Sequence, residues 1–126
     1  MKSFFWVISE IVLIFILLSL PGNQLPHTDQ WWRNIPIDKA IHIVLFCSLM
    51  YSLLYYYDQT AIKFLKTTRA KAFTMIVCIV YGIAMEFYQK NFVPSRGFEV
   101  ADMLADAAGV LVALPLYQKL QKGTKA

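Results

Sequence analysis

Four long apolar runs, separated by short polar stretches, dominate the hydrophobic pattern of the chain. They cover about residues 4–20, 37–57, 70–89 and 100–117, and such lengths suit helices that cross a hydrocarbon core of roughly 30 Å. Backbone polar groups inside lipid must be satisfied within the segment itself, which a helix achieves. The pattern predicts an all-α, polytopic membrane protein in which one domain, residues 1–126, forms a four-helix transmembrane bundle.

The first run also resembles the apolar core of a secretory signal peptide. Its basic flank is one lysine, and no small-x-small cleavage motif precedes Pro21-Gly22. We therefore interpret the run as a retained helix.

Turn-forming residues punctuate the connections between the runs. They are Pro21, Gly22, Asn23 and Pro26 after the first run, Pro36 before the second, and Asn91, Pro94 and Gly97 before the fourth. Pro36 predicts the first turn of the second helix, with Asn34 or Ile35 near its N-cap.

Composition agrees with a membrane location. Of 126 residues, 58% are hydrophobic and 16% are charged, whereas soluble domains are about half apolar and about a quarter charged. Intrinsic disorder is excluded because it requires low hydrophobicity. The two cysteines, Cys47 and Cys78, lie inside apolar runs and are interpreted as packing residues rather than as a disulfide framework.

The distribution of basic residues predicts the orientation of the bundle. Eight lie on the side of the N-terminus, the 58–69 connection and the C-terminus: Lys2, Lys63, Lys66, Arg69, Lys71, Lys119, Lys122 and Lys125. Four lie on the opposite side: Arg33, Lys39, Lys90 and Arg96. Because cytoplasmic loops are enriched in Lys and Arg, we expect both termini on the cytoplasmic side of the membrane.

The net charge of +4 is then a topology signal that anionic lipid explains, and we expect no nucleic-acid partner. Aromatic residues fit the same frame, with Trp31 and Trp32 at the outer interface and Tyr55, Tyr56 and Tyr57 at the inner one.

Polar residues recur at one depth, near the outer ends of three predicted helices. The pairs are Asp38 and His42, Glu86 and Gln89, and Asp102 and Asp106, with Lys39, Lys90 and the loop residue Arg96 beside them. Spacings of three or four residues place each pair on one helix face. Charged groups at membrane depth cost roughly 2.5–3.5 kcal/mol each on insertion scales, so this layer is the candidate site.

Most of these residues also have a purely structural interpretation. Asp38 and Asp102 complement helix N-termini, His42 packs as a satisfied core histidine, Glu86 pairs with Arg96, and Lys39 snorkels to the surface. Together the structural interpretations fit less well, because so many polar groups at one depth are a costly way to hold a bundle. Glu10 stands apart and is expected either to hydrogen-bond across the bundle or to face a wet cavity, and Gly109 to permit close helix packing.

Four motifs in this order resemble the VanZ-like family of small bacterial membrane proteins. They are Pro21-Gly22-x-x-Leu25-Pro26, Asp38-Lys39-x-x-His42-x-x-x-Phe46, Glu86-x-x-Gln89-x-x-x-x-Pro94-x-Arg96 and Asp102-x-x-x-Asp106-x-x-Gly109. The resemblance covers about residues 12–115 and departs from the family at Asp106, where Asn is frequent. It implies a location in the bacterial cytoplasmic (inner) membrane and a link to the cell envelope and to low-level teicoplanin resistance, without a settled biochemical activity.

The first hypothesis is that the layer binds an anionic envelope lipid, a precursor or glycolipid, or another amphiphile at the outer leaflet. Lys39, Arg96 and Lys90 would meet phosphate or carboxylate oxygens, and Arg suits such ligands through its planar fork of donors. The carboxylates of Asp38, Glu86, Asp102 and Asp106, with His42 and Gln89, would complete the ligand-binding set. The outward N-termini of the second and fourth helices would add positive dipole character.

The second hypothesis is an enzyme that acts on a lipid or glycan headgroup. The candidate catalytic residues are His42, Asp38 and Glu86, with His42 as a base oriented by a carboxylate. Donors at Asp38, His42, Glu86, Asp102 and Asp106 suit Mg, Mn or Zn, yet the chain has no metal-spacing motif such as H-E-x-x-H, and we predict no resident metal. The sequence identifies no cofactor, and Ser95 is the only motif-associated nucleophile.

A structural or partner-docking bundle is the third hypothesis, and the sequence leaves open whether a second copy of the chain completes the site. An ion-coupled transporter is disfavoured, because Glu10 is the single strong relay candidate in the inner half of the bundle.

Overall fold

A computed structural model of the chain describes residues 1–21 and 37–124. Its helices are α1 (Lys2–Leu18), α2 (Ile37–Gln59), α3 (Thr68–Phe92) and α4 (Val100–Thr124), with a short 3-10 helix at Lys63–Lys66 between α2 and α3. The two described ranges contain no β-strand, and the all-helical prediction is confirmed. The turn residues Gly22, Asn23, Pro26, Asn34, Ile35 and Pro36, the aromatic pair Trp31 and Trp32, and the basic residues Arg33 and Lys125 lie outside the described residues.

Three of the helices are long and apolar enough to cross a membrane, namely α2, α3 and α4. The first helix is shorter, at 17 residues. Large apolar side chains point away from the bundle, and Trp6, Phe73 and Leu104 are each about two-thirds exposed. An apolar exterior of this extent suits lipid rather than water, and the helices indicate a membrane protein.

The helices run alternately up and down between two ends of the bundle. At one end the Phe4 and Tyr56 rings lie 6.0 Å apart, and the Tyr117 hydroxyl donates to Asp58 Oδ2 at 2.5 Å. At the other end Gln89 Nε2 donates to the Leu18 carbonyl at 2.9 Å. We call the first the basic end, because the chain segments there carry Lys2, Lys63, Lys66, Arg69, Lys71, Lys119 and Lys122, and the second the cluster end.

A stripe of small and polar residues packs α4 against α2. The buried positions of α4 are Asp102, Ala105, Asp106, Gly109, Val110, Ala113 and Tyr117, which recur with the 3.6-residue period of a helix. The two helices are parallel and begin together at the cluster end. On the side of α2, the core includes Phe46, Met50 and Leu54, which are all fully buried.

Gly109 permits the closest approach of α2 and α4. A Cβ atom at this position would collide with the Ile43 carbonyl oxygen and would lie 3.0 Å from the Cys47 nitrogen. These are backbone atoms, which cannot turn aside as a flexible side chain can. The expectation that Gly109 allows close packing is confirmed.

Glu10 ties α1 to α2 through hydroxyl groups. Its Oε1 accepts a hydrogen bond from Ser48 Oγ at 2.6 Å, with Ser52 Oγ at 3.4 Å. Of the two expectations for Glu10, the hydrogen bond across the bundle is the observed one.

Two helix ends differ from the predicted boundaries. Asn91, expected in a turn, lies inside α3 and donates from Nδ2 to the Phe87 carbonyl at 2.8 Å. The last helix continues past residue 117 to Thr124 with Pro115 in its interior. The added residues, 90–92 and 118–124, are mostly polar, so a hydropathy window alone misses them.

Substituting Gly109→Ala should destabilise the bundle, because the new methyl group forces α2 and α4 apart. Overpacking of this kind costs about 1–3 kcal/mol, which thermal unfolding in detergent, followed by circular dichroism, would detect as a lower Tm. The matched control is Gly123→Ala in the same helix, where a Cβ meets no atom within 4 Å. Equal Tm values for the two variants would contradict the close approach.

Candidate functional site

Polar side chains from α2, α3, α4 and the loop before α4 meet at the cluster end. We call this group the polar cluster: Asp38, Lys39, His42, Glu86, Gln89, Arg96, Glu99, Asp102 and Asp106. Asp38 and Asp102 occupy the first turns of α2 and α4. The eight residues predicted from the sequence are therefore brought to one end of the bundle, with Glu99 added to them.

A buried histidine–carboxylate pair forms the floor of the polar cluster. His42 Nδ1 lies 2.7 Å from Asp106 Oδ1, and both side chains are almost fully buried. The second ring nitrogen, Nε2, lies 3.8 Å from Asp102 Oδ2 and has no hydrogen-bond partner among the described residues. Asp106 therefore fixes the ring so that Nε2 points towards Asp102.

Lys39 bridges two carboxylates, that of Asp102 in α4 and that of Glu99 directly before α4. Its Nζ lies 2.7 Å from Glu99 Oε2 and 3.2 Å from Asp102 Oδ1. Only the contact with Glu99 has hydrogen-bond alignment. The side chain of Lys39 is 30% exposed, so it stands at the rim of the cluster and does more than snorkel to a surface.

Arg96 pairs with Asp38, and the expected pair with Glu86 is wrong. Arg96 Nη1 donates to Asp38 Oδ1 at 3.1 Å, and Nε donates to the Leu20 carbonyl at 3.4 Å. The turn that carries Arg96 places Ser95 in the left-handed region, with φ of 61°. This turn directs the Arg96 side chain across the bundle end towards α2 rather than back onto α3.

Glu86 instead caps the start of α4. Its Oε2 accepts the backbone N–H of Glu99 at 3.1 Å, one of the N–H groups that a helix start leaves without an intrahelical acceptor. Its Oε1 is buried and has no partner among the described residues.

Three further residues from the sequence motifs make other contacts. Gln89 belongs to the polar cluster, and Lys90 and Ser95 lie outside it. Gln89 is buried and ties α3 to α1 through the Leu18 carbonyl, so its amide serves the bundle itself. Lys90 is exposed on α3 and lies 5.9 Å from the centre of the Phe98 ring. Ser95 is exposed in the loop.

Two residues that shape the site are not predicted from the sequence. The signal for Glu99 is its position directly before α4, three residues before Asp102, where acidic groups commonly serve helix starts. Gly82 gives no signal because it lies inside an apolar run. A Cβ at Gly82 would lie 2.6 Å from Asp106 Oδ2 and 2.9 Å from Asp106 Cβ, so this glycine makes room for the Asp106 carboxylate.

The cluster contains more acidic than basic groups. Five carboxylates (Asp38, Glu86, Glu99, Asp102 and Asp106) face two permanent cations, Lys39 and Arg96, together with His42. The N-termini of α2 and α4 both lie here and supply partial positive charge, as expected from the sequence. Four buried polar atoms have no hydrogen-bond partner among the described residues: His42 Nε2, Glu86 Oε1, Asp102 Oδ1 and Asp106 Oδ2.

Three side chains of the polar cluster are close enough to share one metal ion. Asp38, His42 and Asp102 each offer a ligand atom, and the three atoms lie within 4.8 Å of one another. The arrangement can thus do three things chemically: pair with an anion at its rim, hydrogen-bond hydroxyl groups, and coordinate a cation through oxygen and nitrogen donors.

Comparison of the chain with models of known families, with curated proteins and with solved structures gives no match. Its function must therefore be inferred from the residues and geometry of the polar cluster.

Substituting Gly82→Ala should break the His42–Asp106 hydrogen bond, because Asp106 must move away from the added methyl group. The imidazole nitrogen resonances of His42, measured by NMR on histidine-labelled protein in detergent, should then shift. The control is Gly97→Ala, a position where a Cβ meets no atom within 4 Å. Unchanged His42 resonances in Gly82→Ala would contradict the contact.

Proposed function

We propose that the chain is a four-span membrane protein that binds the headgroup of an anionic envelope lipid, precursor or similar amphiphile in the polar cluster. The observation that carries this proposal is the graded burial of the cluster. Lys39 and Asp38 are about one-third exposed at its rim, whereas His42, Asp102 and Asp106 lie buried beneath them. A lipid headgroup approaching from the membrane surface would meet the rim first.

The contacts of α1 support its role as the fourth span. At 1.5 Å per residue, its 17 residues extend about 25 Å, close to a hydrocarbon core of roughly 30 Å. Its contacts run from Tyr56 at the basic end, through Ser48, to Gln89 at the cluster end. A helix packed along the whole bundle shares the environment of the other three.

Basic residues at the two ends support an orientation with both termini in the cytoplasm of a bacterium. The basic end holds seven lysine and arginine residues of the described chain, and the cluster end holds Lys39, Lys90 and Arg96. This asymmetry favours a cytoplasmic basic end and an outward-facing cluster.

A reporter that works only in the cytoplasm should be active when it is fused to the C-terminus of the chain. Activity at the C-terminus of a reporter that works only outside the cytoplasm would contradict this orientation.

The chemistry of the rim supports an anionic headgroup with hydroxyl groups. Lys39 and Arg96 already contact carboxylates, so a phosphate or carboxylate group would join or replace Glu99 and Asp38 as their partner. Charge-assisted bonds to these cations are stronger than bonds between neutral groups. The second carboxylate oxygen of Asp38, at the exposed rim, suits a hydroxyl group of a glycerol or sugar.

The clustering of motif residues supports membership of the VanZ-like family. Motif positions far apart in the chain, such as Asp38, Glu86 and Asp102, lie together at one end of the bundle. Such convergence is what a shared site requires of separate motifs. The membership would connect headgroup binding to the envelope and to teicoplanin susceptibility.

An enzyme that modifies the bound headgroup is the second candidate, and the geometry of His42 favours it. Asp106 holds Nδ1, and Nε2 is left without a hydrogen-bond partner among the described residues. A histidine oriented by a carboxylate, with its second nitrogen available, is the arrangement of a general base.

The chain purified in detergent should retain phosphatidylglycerol in preference to phosphatidylcholine when both are supplied in equal amounts. Removing one cation, either Lys39 at the rim by Lys39→Gln or the more buried Arg96 by Arg96→Gln, should lower the retained fraction at least about tenfold, since a charge-assisted bond contributes about 1.5–3 kcal/mol. Native mass spectrometry measures the bound lipid directly. If the wild-type chain raises teicoplanin resistance in a susceptible host, the same two variants should lose that effect.

The matched control is Lys71→Gln, which removes one charge at the basic end. Equal retention by all the variants would rule out the anion site. A lipid whose mass changes with the wild-type chain, but not with His42→Gln, would establish the enzyme instead. Lower Tm with unaltered lipid retention would indicate that the rim residues serve only the bundle.

A further inference from the structure

We propose that the polar cluster holds a divalent transition-metal ion through Asp38, His42 and Asp102. This inference goes beyond headgroup binding, because the ion would be bound by the protein alone, and it replaces the sequence-based expectation of no resident metal. It starts from the charge of the cluster, in which five carboxylates face two permanent cations and one imidazole. Uncompensated carboxylates away from water are costly, and buried charges are normally paired or coordinated to metals.

The donor atoms are placed for a shared ion. His42 Nε2 and Asp102 Oδ2 lie 3.8 Å apart, and an oxygen of Asp38 completes a group within 4.8 Å. Two ligands that are each about 2.1 Å from a tetrahedral ion lie about 3.4 Å from one another. Small side-chain movements would therefore bring all three atoms to coordination distance.

The second observation is the state of the His42 ring. Its side chain is 0% exposed, and Nε2 points into the group of carboxylates without a hydrogen-bond partner among the described residues. A buried polar atom of this kind normally has a partner. A metal ion in contact with Nε2, Asp102 and Asp38 would supply that partner.

Asp106 occupies the position of a carboxylate that orients a metal-binding histidine. Its Oδ1 lies 2.7 Å from His42 Nδ1, so the Nδ1 proton is held there and the Nε2 lone pair faces the ion. Carboxylates behind ligating histidines fix the tautomer and ring orientation in this way. Gly82 leaves the space in which Asp106 makes this contact.

The other contacts of the three ligands are compatible with an ion. Lys39 contacts Asp102 through Oδ1, leaving Oδ2 for the ion, and Arg96 contacts Asp38 through one oxygen only. Asp38 is partly exposed, which gives the ion a route in from the surface. One imidazole and two carboxylates suit Zn²⁺ or Mn²⁺, with further positions left for water or an anionic headgroup.

Isothermal titration of Zn²⁺ into the untagged, chelator-treated chain in detergent, without added lipid, tests the proposal. The wild type should bind one Zn²⁺ per chain. Asp38→Asn, His42→Gln and Asp102→Asn should each weaken binding more than about tenfold, since even residues behind the ligands contribute 10–100-fold. The control is Asp58→Asn, a carboxylate at the basic end that accepts a hydrogen bond from Tyr117; its affinity should equal that of the wild type.

A pair of substitutions at Asp106 separates orientation of the histidine from mere support of the fold. Asp106→Asn keeps an oxygen acceptor for the Nδ1 proton and should bind Zn²⁺ more tightly than Asp106→Leu, which should lose about 10–100-fold relative to the wild type. Asp38→Asn controls for loss of Zn²⁺ affinity through unfolding, because Asp38 is partly exposed and its substitution should leave the fold intact.

The proposal is overturned if the wild type binds no Zn²⁺, or if Asp38→Asn and Asp102→Asn bind it as tightly as Asp58→Asn does. Because no lipid is added to the titration, neither result requires headgroup binding.

Discussion

The contact of Gly109 with the backbone of Ile43 determines where the polar groups of the bundle lie. It joins two parallel helices, α2 and α4, which both begin at the cluster end. Parallel helices in fixed register keep the same pairs opposite one another along their length. One turn from Gly109 towards the cluster end, Asp106 meets His42, and one turn further Asp102 meets Lys39.

The same parallel arrangement lowers the electrostatic cost of the cluster. Two helix N-termini lie side by side there, and Asp38 and Asp102 occupy their first turns, where the helix dipole favours a negative charge. Glu86 adds a direct hydrogen bond to the backbone at the start of α4. These effects stabilise the carboxylates of Asp38, Asp102 and Glu86. They do not reach Asp106, which lies more than a turn into α4. Its compensation comes from the His42 ring, which is why the histidine belongs at the floor of the cluster rather than at its rim.

Much of this arrangement could be predicted from the sequence, because hydropathy and spacing act locally. The apolar runs locate α2, α3 and α4, and the spacing of Asp38 with His42 and of Asp102 with Asp106 places each pair on one face. The partner of Arg96 could not be predicted in this way, since it depends on a loop whose course changes at Ser95. The role of Gly82 cannot be predicted from the sequence either, because the need for a small residue appears only when Asp106 is packed against it. Local periodicity therefore defines the pairs that the helices carry, and tertiary packing defines the contacts between them.

The contact at Asp106 also shows what an asparagine at this position would keep and what it would lose. Only Oδ1 contacts the His42 ring, whereas Oδ2 has no hydrogen-bond partner among the described residues. An asparagine oxygen would accept the same Nδ1 proton without the negative charge, so the orientation of the ring needs an acceptor rather than an anion. The added charge of aspartate instead increases the negative potential around Nε2. A carboxylate at this position therefore favours a cation beside the histidine more strongly than an amide would, while both residues orient the ring alike.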